Sequence, residues 1–200
     1  NGMVTISSPI KGEAVCYTLN ESKKVYDYVA PFMLREGGLV TAFYKNNRQI
    51  SVTLSCNKIE TIPMEVIYAS SQESGEGDAA NLVDGDANTT WHTMYSVTVA
   101  QYPHWVDFDA GDVKQIKGFV YLPRQDGGTN GMIKDYKLEL SVDGKNWGSP
   151  VITGTFDAGS KAKKVLLPAP VKARYIRFTG LSSQNGQDFA GGAEFSVLAD

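Results

Sequence analysis

The chain has 200 residues, 42% of them hydrophobic, and a formal net charge of −3. That apolar content excludes a disordered tail, the length accommodates one large domain or two smaller ones, and the pattern breaks favour two. Lys and Arg are interspersed with acids, as in Lys161, Lys163 and Lys164 against Asp157, so nucleic acid is not an expected partner, and no apolar run approaches the ~20 residues that cross a bilayer.

The chain opens on Asn1-Gly2-Met3-Val4, already strand-like and without an export signal. It therefore reads as a piece of a longer protein whose signal lies elsewhere. Residues 1–58 form a small all-β unit. Val4-Thr5-Ile6-Ser7 alternates, as do Ala14 to Leu19, Leu39 to Tyr44 and Ile50 to Ser55, with turns at Asn20 to Lys24, Gly37-Gly38 and Asn46-Asn47. Cys16 and Cys56 both fall here; one disulfide or two lone buried thiols are both open, and no Cys/His cluster has zinc spacing.

Three segments of this unit carry a resemblance: Val15-Cys16-Tyr17-Thr18-Leu19, then Val25-Tyr26-Asp27-Tyr28 with Ala30-Pro31-Phe32, then Gly38-Leu39-Val40-Thr41-Ala42. They resemble the small C-terminal β-domain of chitobiase and hexosaminidase-type glycosidases, with Asn20-Glu21 where that family often has Asp-Gly. The resemblance implies an Ig-like β-sandwich spacer without an active site. Residues 59–63 read as a linker, with Pro63 unable to donate to a strand ladder.

The second unit, 64–200, is again period-two: Trp105 to Asp109, Tyr136 to Val142 and Arg174 to Phe178. Asp143-Gly144 directly after one of these strands signals a hairpin. Many short strands joined by turns suggest a sandwich.

Six motifs follow one another here: Ala80 to Trp91, Pro103 to Gly111, Pro123-Arg124 with Asn130-Gly131, Tyr136 to Trp147, Arg174 to Phe178, and Ala193-Glu194-Phe195. In this order they resemble the F5/8 type C, or discoidin, family and specifically family 32 carbohydrate-binding modules; Ala110 stands where that family has Leu. The implied fold class is all-β: a galactose-binding-like (discoidin) β-sandwich jelly roll preceded by the small Ig-like domain. The implied function is non-catalytic: a module that targets a secreted bacterial glycoside hydrolase to glycans ending in galactose or N-acetylgalactosamine. Its partners would be such glycans and the parent's catalytic domain, at a periplasmic, secreted or cell-surface location, with a monomer expected.

Asp84, Asp86 and Thr89 sit in a polar loop around Gly85, and calcium takes six to eight oxygens from such loops. Asp-Gly-Asp alone is equally an ordinary Asx-turn. The family resemblance implies a structural calcium ion held by Asn81, Asp84, Asp86 and Thr89 from this loop and by Ala193 and Glu194 from the chain's far end, with Asn81 contributing its backbone carbonyl.

A sugar site needs fixed donors and acceptors and an aromatic face. His92, Tyr95, Arg124, Asn130 and Phe189 fall in segments read as loops, where binding residues concentrate on rigid sandwiches. The resemblance places His92, Arg124 and Asn130 on the sugar hydroxyls and aromatics on its ring. Solvated-loop, turn and packing roles are the alternatives for these residues, and Trp91, Trp105 and Trp147 are assigned to packing. A glycosidase needs two carboxylates facing a deep cleft, and the acids here read as turn, strand-face or calcium-loop residues; His92 and His104 lack a nearby nucleophile motif such as G-x-S-x-G. The remaining rival is a discoidin module for protein or membrane adhesion. Met94, Val97 and Val99 could serve as apolar spikes, but no cation cluster supports binding to anionic lipid.

Overall fold

The computed structural model describes residues 3–34, 37–56 and 61–199. The chain divides into two compact units, Asn1–Ile59 and Glu60–Asp200. Each is described by itself.

The first unit contains β1 (Met3–Val4), β2 (Val15–Leu19), β3 (Tyr26–Asp27), β4 (Phe32–Met33), β5 (Gly38–Tyr44) and β6 (Asn47–Cys56). An antiparallel four-stranded sheet runs in the order β3-β2-β5-β6, and β1 pairs with β4. Among the described residues the second sheet of the expected Ig-like sandwich amounts to that two-residue ladder. Tyr17 stacks on Phe32 at 4.3 Å and on Tyr26 at 5.2 Å, an aromatic cluster on one face. Cys16 and Cys56 are both free. Cys16 pairs in register with Phe43, and Cys56 with Gly38 at the other end of β5, so the strand register holds the thiols apart.

The second unit contains β7 (Glu65–Ala69), a 3-10 turn (Ala79–Val83), β8 (Trp91–His92), β9 (His104–Leu122), β10 (Asp135–Ser141), β11 (Ile152–Thr155), β12 (Lys163–Gly180), β13 (Gly191–Gly192) and β14 (Glu194–Ala199). The main sheet runs β11-β10-β12-β9-β14, and β7 also pairs with β9. Two long strands make this a sandwich. The first part of β9, His104 to Asp109, pairs with Tyr175 to Gly180 of β12 and with β7. Its second part, Ile116 to Tyr121, pairs with the opening of β12 and with β14. Local chemistry supplies the bends. Gly111 sits at φ 78°, which non-glycine residues avoid. Pro168 and Pro170 fall in the register shift between Leu166 and Val171, where a residue without an N–H is tolerated.

The two arms face each other across an aromatic core. Phe108 of one arm stacks on Phe195 of the other at 4.8 Å, and Phe178 stacks on Phe195 at 4.7 Å. Trp91, Leu82, Phe119 and Tyr121 are fully buried in the same cluster. Each aromatic side chain buries 150–250 Å², so this cluster dominates the apolar burial of the unit. Asp107 and Asp109 emerge on the opposite face and are held by two-pronged ion pairs from Arg177 and Arg174, all four contacts at 2.7 Å. Arg177 also lies 4.3 Å over the Trp147 ring. Residues 57–60, which hold part of the expected linker 59–63, lie outside the described residues. Thr61 bridges to Leu198, and the Ile62 N–H donates to the Val197 carbonyl, so chain order within the second unit begins ahead of residue 64.

Candidate functional site

At one end of the sandwich the loops enclose an open cleft of ≈ 710 Å³. His92, Tyr95, Arg124 and Asn130 all line it, although 38 residues of chain separate the first from the last. His92 is not on a loop, as the sequence suggested. It closes the two-residue strand β8, paired with Gly191 of β13. This pairing requires close backbone approach: a Cβ at Gly191 would lie 2.5 Å from the Trp91 carbonyl oxygen.

The His92 side chain is buried, and its Nδ1 lies 2.6 Å from the Thr93 carbonyl oxygen. A carbonyl only accepts, so Nδ1 carries the proton and Nε2 is left as an acceptor. Burial holds the imidazole below the usual histidine pKa, against a smaller opposing effect of the Thr93 carbonyl.

Arg124 is restrained on three nitrogens. Nε and Nη2 donate to the two oxygens of Asp126 at 2.7 and 2.5 Å, and Nη1 donates to the Asn130 carbonyl at 2.9 Å. The fork is thereby fixed, and its remaining N–H groups are available to a ligand. Arg124 in turn holds the Asp126 carboxyl down at about 2. The Asn130 Oδ1 is buried without a partner, an acceptor whose isolation costs about 1–3 kcal/mol unless something donates to it.

Tyr95 is fixed at both ends by residues that sequence reasoning missed. Its hydroxyl donates to Glu76 Oε2 at 2.6 Å. Its backbone N–H donates to Glu73 Oε2 at 2.8 Å, and Glu73 also accepts from the Ser96 N–H at 2.9 Å and the Ser96 hydroxyl at 2.5 Å. Those donors hold the buried Glu73 carboxyl below its ordinary range, the Ser96 hydroxyl foremost. The Glu73 N–H reaches back to the His92 carbonyl at 2.8 Å, so one residue ties the histidine strand to the tyrosine loop. No local motif marks Glu73; its partners lie more than twenty residues away. Glu73→Ala should remove three acceptor contacts from the 95–96 turn. We expect broadened Tyr95 resonances by NMR and a melting temperature several degrees lower, at about 1–3 kcal/mol.

Phe189 departs from expectation. It is half-buried and does not line the cleft; its ring leans on His92 with centroids 5.3 Å apart. The reason is its anchorage. Tyr102 donates to the Phe189 carbonyl, the His104 Nε2 lies 2.9 Å from the Asp188 carbonyl, and the Ala190 N–H donates to the Thr93 hydroxyl. Phe189 thus backs the histidine, which Tyr95 flanks edge-on at 5.3 Å on another side.

The residues assigned to calcium form a linked loop. The Thr89 hydroxyl lies 2.7 Å from Asp84 Oδ2 and 2.9 Å from the Asp86 carbonyl, and Asp84 Oδ1 accepts the Asp86 N–H at 2.8 Å. Asp86 also accepts from the Asn88 backbone and side chain. The Asn81 side chain is engaged elsewhere, donating to the Thr90 carbonyl at 3.1 Å. Ala193 is fully buried and its N–H donates to the Leu122 carbonyl. Glu194 brings an orphaned buried oxygen, Oε1. Its carboxyl is pushed up to about 7 by burial first and by the nearby Asp84 charge second. Among the described residues, no three His, Cys, Asp or Glu side chains converge as a metal cluster. The donor set is instead mixed: carboxylates, one hydroxyl and backbone carbonyls, which is the chemistry calcium accepts.

Residues 66–195 match the F5/8 type C domain family. A sialidase of Micromonospora viridifaciens is 33% identical over 154 residues, 76% of this chain and 24% of the sialidase. The chain spans about a quarter or less of the length of the curated relatives it matches. Among solved structures, CpGH89CBM32-5 from Clostridium perfringens, in complex with GalNAc-β-1,3-galactose, superposes with a TM-score of 0.63 at 32% identity, covering 70% of this chain and 99% of that one. The family 32 module of C. perfringens NanJ, in complex with galactose, gives 0.60 at 28% identity, covering 68% and 96%. With its sandwich fold and two-thirds of its length in the match, this chain belongs to the F5/8 type C domain family.

Proposed function

We propose that the second unit is a non-catalytic carbohydrate-binding module for terminal galactose-type sugars, carried by a secreted or cell-surface bacterial glycoside hydrolase. The observation that carries this reading is the convergence of His92, Arg124 and Asn130 with the Tyr95 ring on one cleft. An acceptor at His92 Nε2, a fixed donor fork at Arg124 and an amide at Asn130 match the alternating donor and acceptor character of sugar hydroxyls. The two clostridial modules solved with galactose-containing ligands support it. The first unit serves as a spacer toward the parent's catalytic domain.

Calcium is part of the same proposal. Asp84, Thr89 and Glu194 would supply side-chain oxygens, and Asn81, Asp86 and Ala193 backbone carbonyls. The fit rests on the orphaned Glu194 oxygen, which a cation would satisfy. When bound, the ion supplies charge that ties the 81–89 loop to the start of β14, with no chemical step of its own.

The test is an NMR titration with methyl β-galactoside. Weak binding is expected, on the order of 0.1–1 mM, because one shallow cleft covers one sugar face. Shifts should concentrate at residues 92, 95, 124 and 130. Binding should be constant from pH 8 to about 6.5 and weaken below that, because protonation at a depressed pKa converts the Nε2 acceptor of His92 into a donor. If no galactoside shifts these resonances, the sugar reading fails and protein adhesion replaces it.

A further inference from the structure

The cleft wall is charged unevenly. Glu76, Asp78 and Asp126 line it, and Arg124 is the one cation among the described lining residues. Asp126 takes two of the Arg124 nitrogens, so this pair is neutral in place. Burial lowers the His92 pKa and so favours the neutral ring, whose Nδ1 faces the Thr93 carbonyl at 2.6 Å. Glu76 and Asp78 are left uncompensated. Asp78 is occupied by short-range donors, with Gln72 Nε2 at 3.2 Å on Oδ1 and the Gly75 N–H at 3.0 Å on Oδ2. These are neutral groups and leave its charge in place. Glu76 spends one oxygen on the Tyr95 hydroxyl, and its Oε1 has no hydrogen-bond donor among the described residues. A calcium ion in the neighbouring loop would be matched by its own carboxylates and would not reverse the sign of the cleft.

A cleft bounded by low-dielectric walls focuses the field of its charges on whatever enters. Two unpaired carboxylates disfavour a ligand bearing a carboxylate or sulfate and favour one bearing a cation. The cationic form of a galactose-type sugar is the hexosamine whose C2 amine is not acetylated. An ammonium donates three hydrogen bonds and accepts none, the complement of carboxylate oxygens such as Glu76 Oε1.

We infer that this cleft selects by charge, binding a galactose-type sugar with a free C2 amine more tightly than the neutral sugar, and excluding its carboxylated and sulfated counterparts. The inference rests on the sugar-binding reading above and adds the class of sugar that the site prefers.

The experiment titrates the whole chain at about pH 6.5, where a sugar amine is protonated. Four methyl glycosides are compared, those of galactose, galactosamine, N-acetylgalactosamine and galacturonic acid, at low and high sodium chloride. At low salt the galactosamine glycoside is expected to bind about three- to tenfold more tightly than the galactoside, and the galacturonide more weakly by a similar factor. High salt should draw the charged ligands toward the neutral one. In Glu76→Gln the ratio of galactosamine to galactose affinity should fall toward one, whatever the absolute affinities become. Equal binding of amine, neutral and acid forms at low salt overturns the charge inference and leaves sugar binding standing. Failure of all four to bind overturns the sugar reading itself.

Discussion

Arg124→Ala is expected to abolish measurable galactoside binding while leaving the fold of the second unit intact. The side chain holds its fork through Asp126 and the Asn130 carbonyl, both in the same loop, so its loss removes no core contact. What disappears is a set of charge-assisted hydrogen bonds, each worth about 1.5–3 kcal/mol. For a complex of about −4 to −5.5 kcal/mol the loss of even one such bond is a drop of about 10- to 150-fold, which carries the affinity out of a practical range. Arg124→Lys separates geometry from charge. It retains the cation but cannot span both Asp126 oxygens and the Asn130 carbonyl at once. We expect it to bind nearly as poorly as alanine. Titration calorimetry or NMR reads the affinity and thermal unfolding reads the fold. Wild-type binding by Arg124→Ala would place the sugar site elsewhere.

Removal of calcium should lower the melting temperature of the second unit by roughly 5–10 °C. An ion bound to the native state at a hundredfold excess over its Kd adds about 2.7 kcal/mol, and each kcal/mol moves a domain of this size by a few degrees. The Glu194 carboxyl, pushed up to about 7 while a buried oxygen lacks a partner, marks where the charge of the proposed ion would be felt most. Glu194→Gln should therefore stop responding to added calcium and melt at or slightly above the chelated protein, below the calcium-loaded one. It removes the charge, relieves the repulsion from Asp84 and keeps the shape, so a mere packing defect is not what it reports. Asn81→Ala should retain the calcium response, since only its backbone carbonyl is assigned to the ion, although it loses the bond to Thr90. Identical melting of metal-stripped protein with calcium and with chelator would remove calcium from the description.

The sequence and the structure agree where the information is local. Period-two alternation marked Trp105 to Asp109, Tyr136 to Val142 and Arg174 to Phe178, and all three lie in strands, apart from Val142 just beyond the end of β10. The alternation did not reveal that the outer two belong to strands of 19 and 18 residues, because Gly111, Pro168 and Pro170 interrupt the pattern at the places where the ladder bends. Four of the five sugar candidates line one cleft. Phe189 does not, because bonds to its loop from Tyr102, His104 and Thr93 set the ring behind His92. Glu73, Glu76 and Asp126 were illegible for a different reason. Each reads in sequence as a solvated turn carboxylate, and what distinguishes them is contact with Tyr95, Ser96 and Arg124. Two of those three contacts depend on how distant loops are brought together.

The long strands β9 and β12 have a consequence for how this unit tolerates change. Each is a member of both layers, so neither layer can slide or peel away without dragging the other. The joint between layers is continuous backbone as well as the aromatic core packed between them. The loops that shape the cleft hang from the ends of this frame and contribute little to that joint. Exposed residues of these loops that anchor no neighbour, unlike the buried Glu73 and His92, can be exchanged or recharged at small cost to the whole. One scaffold of this kind can therefore be refitted for many glycans, with recognition drifting freely while the framework stays fixed.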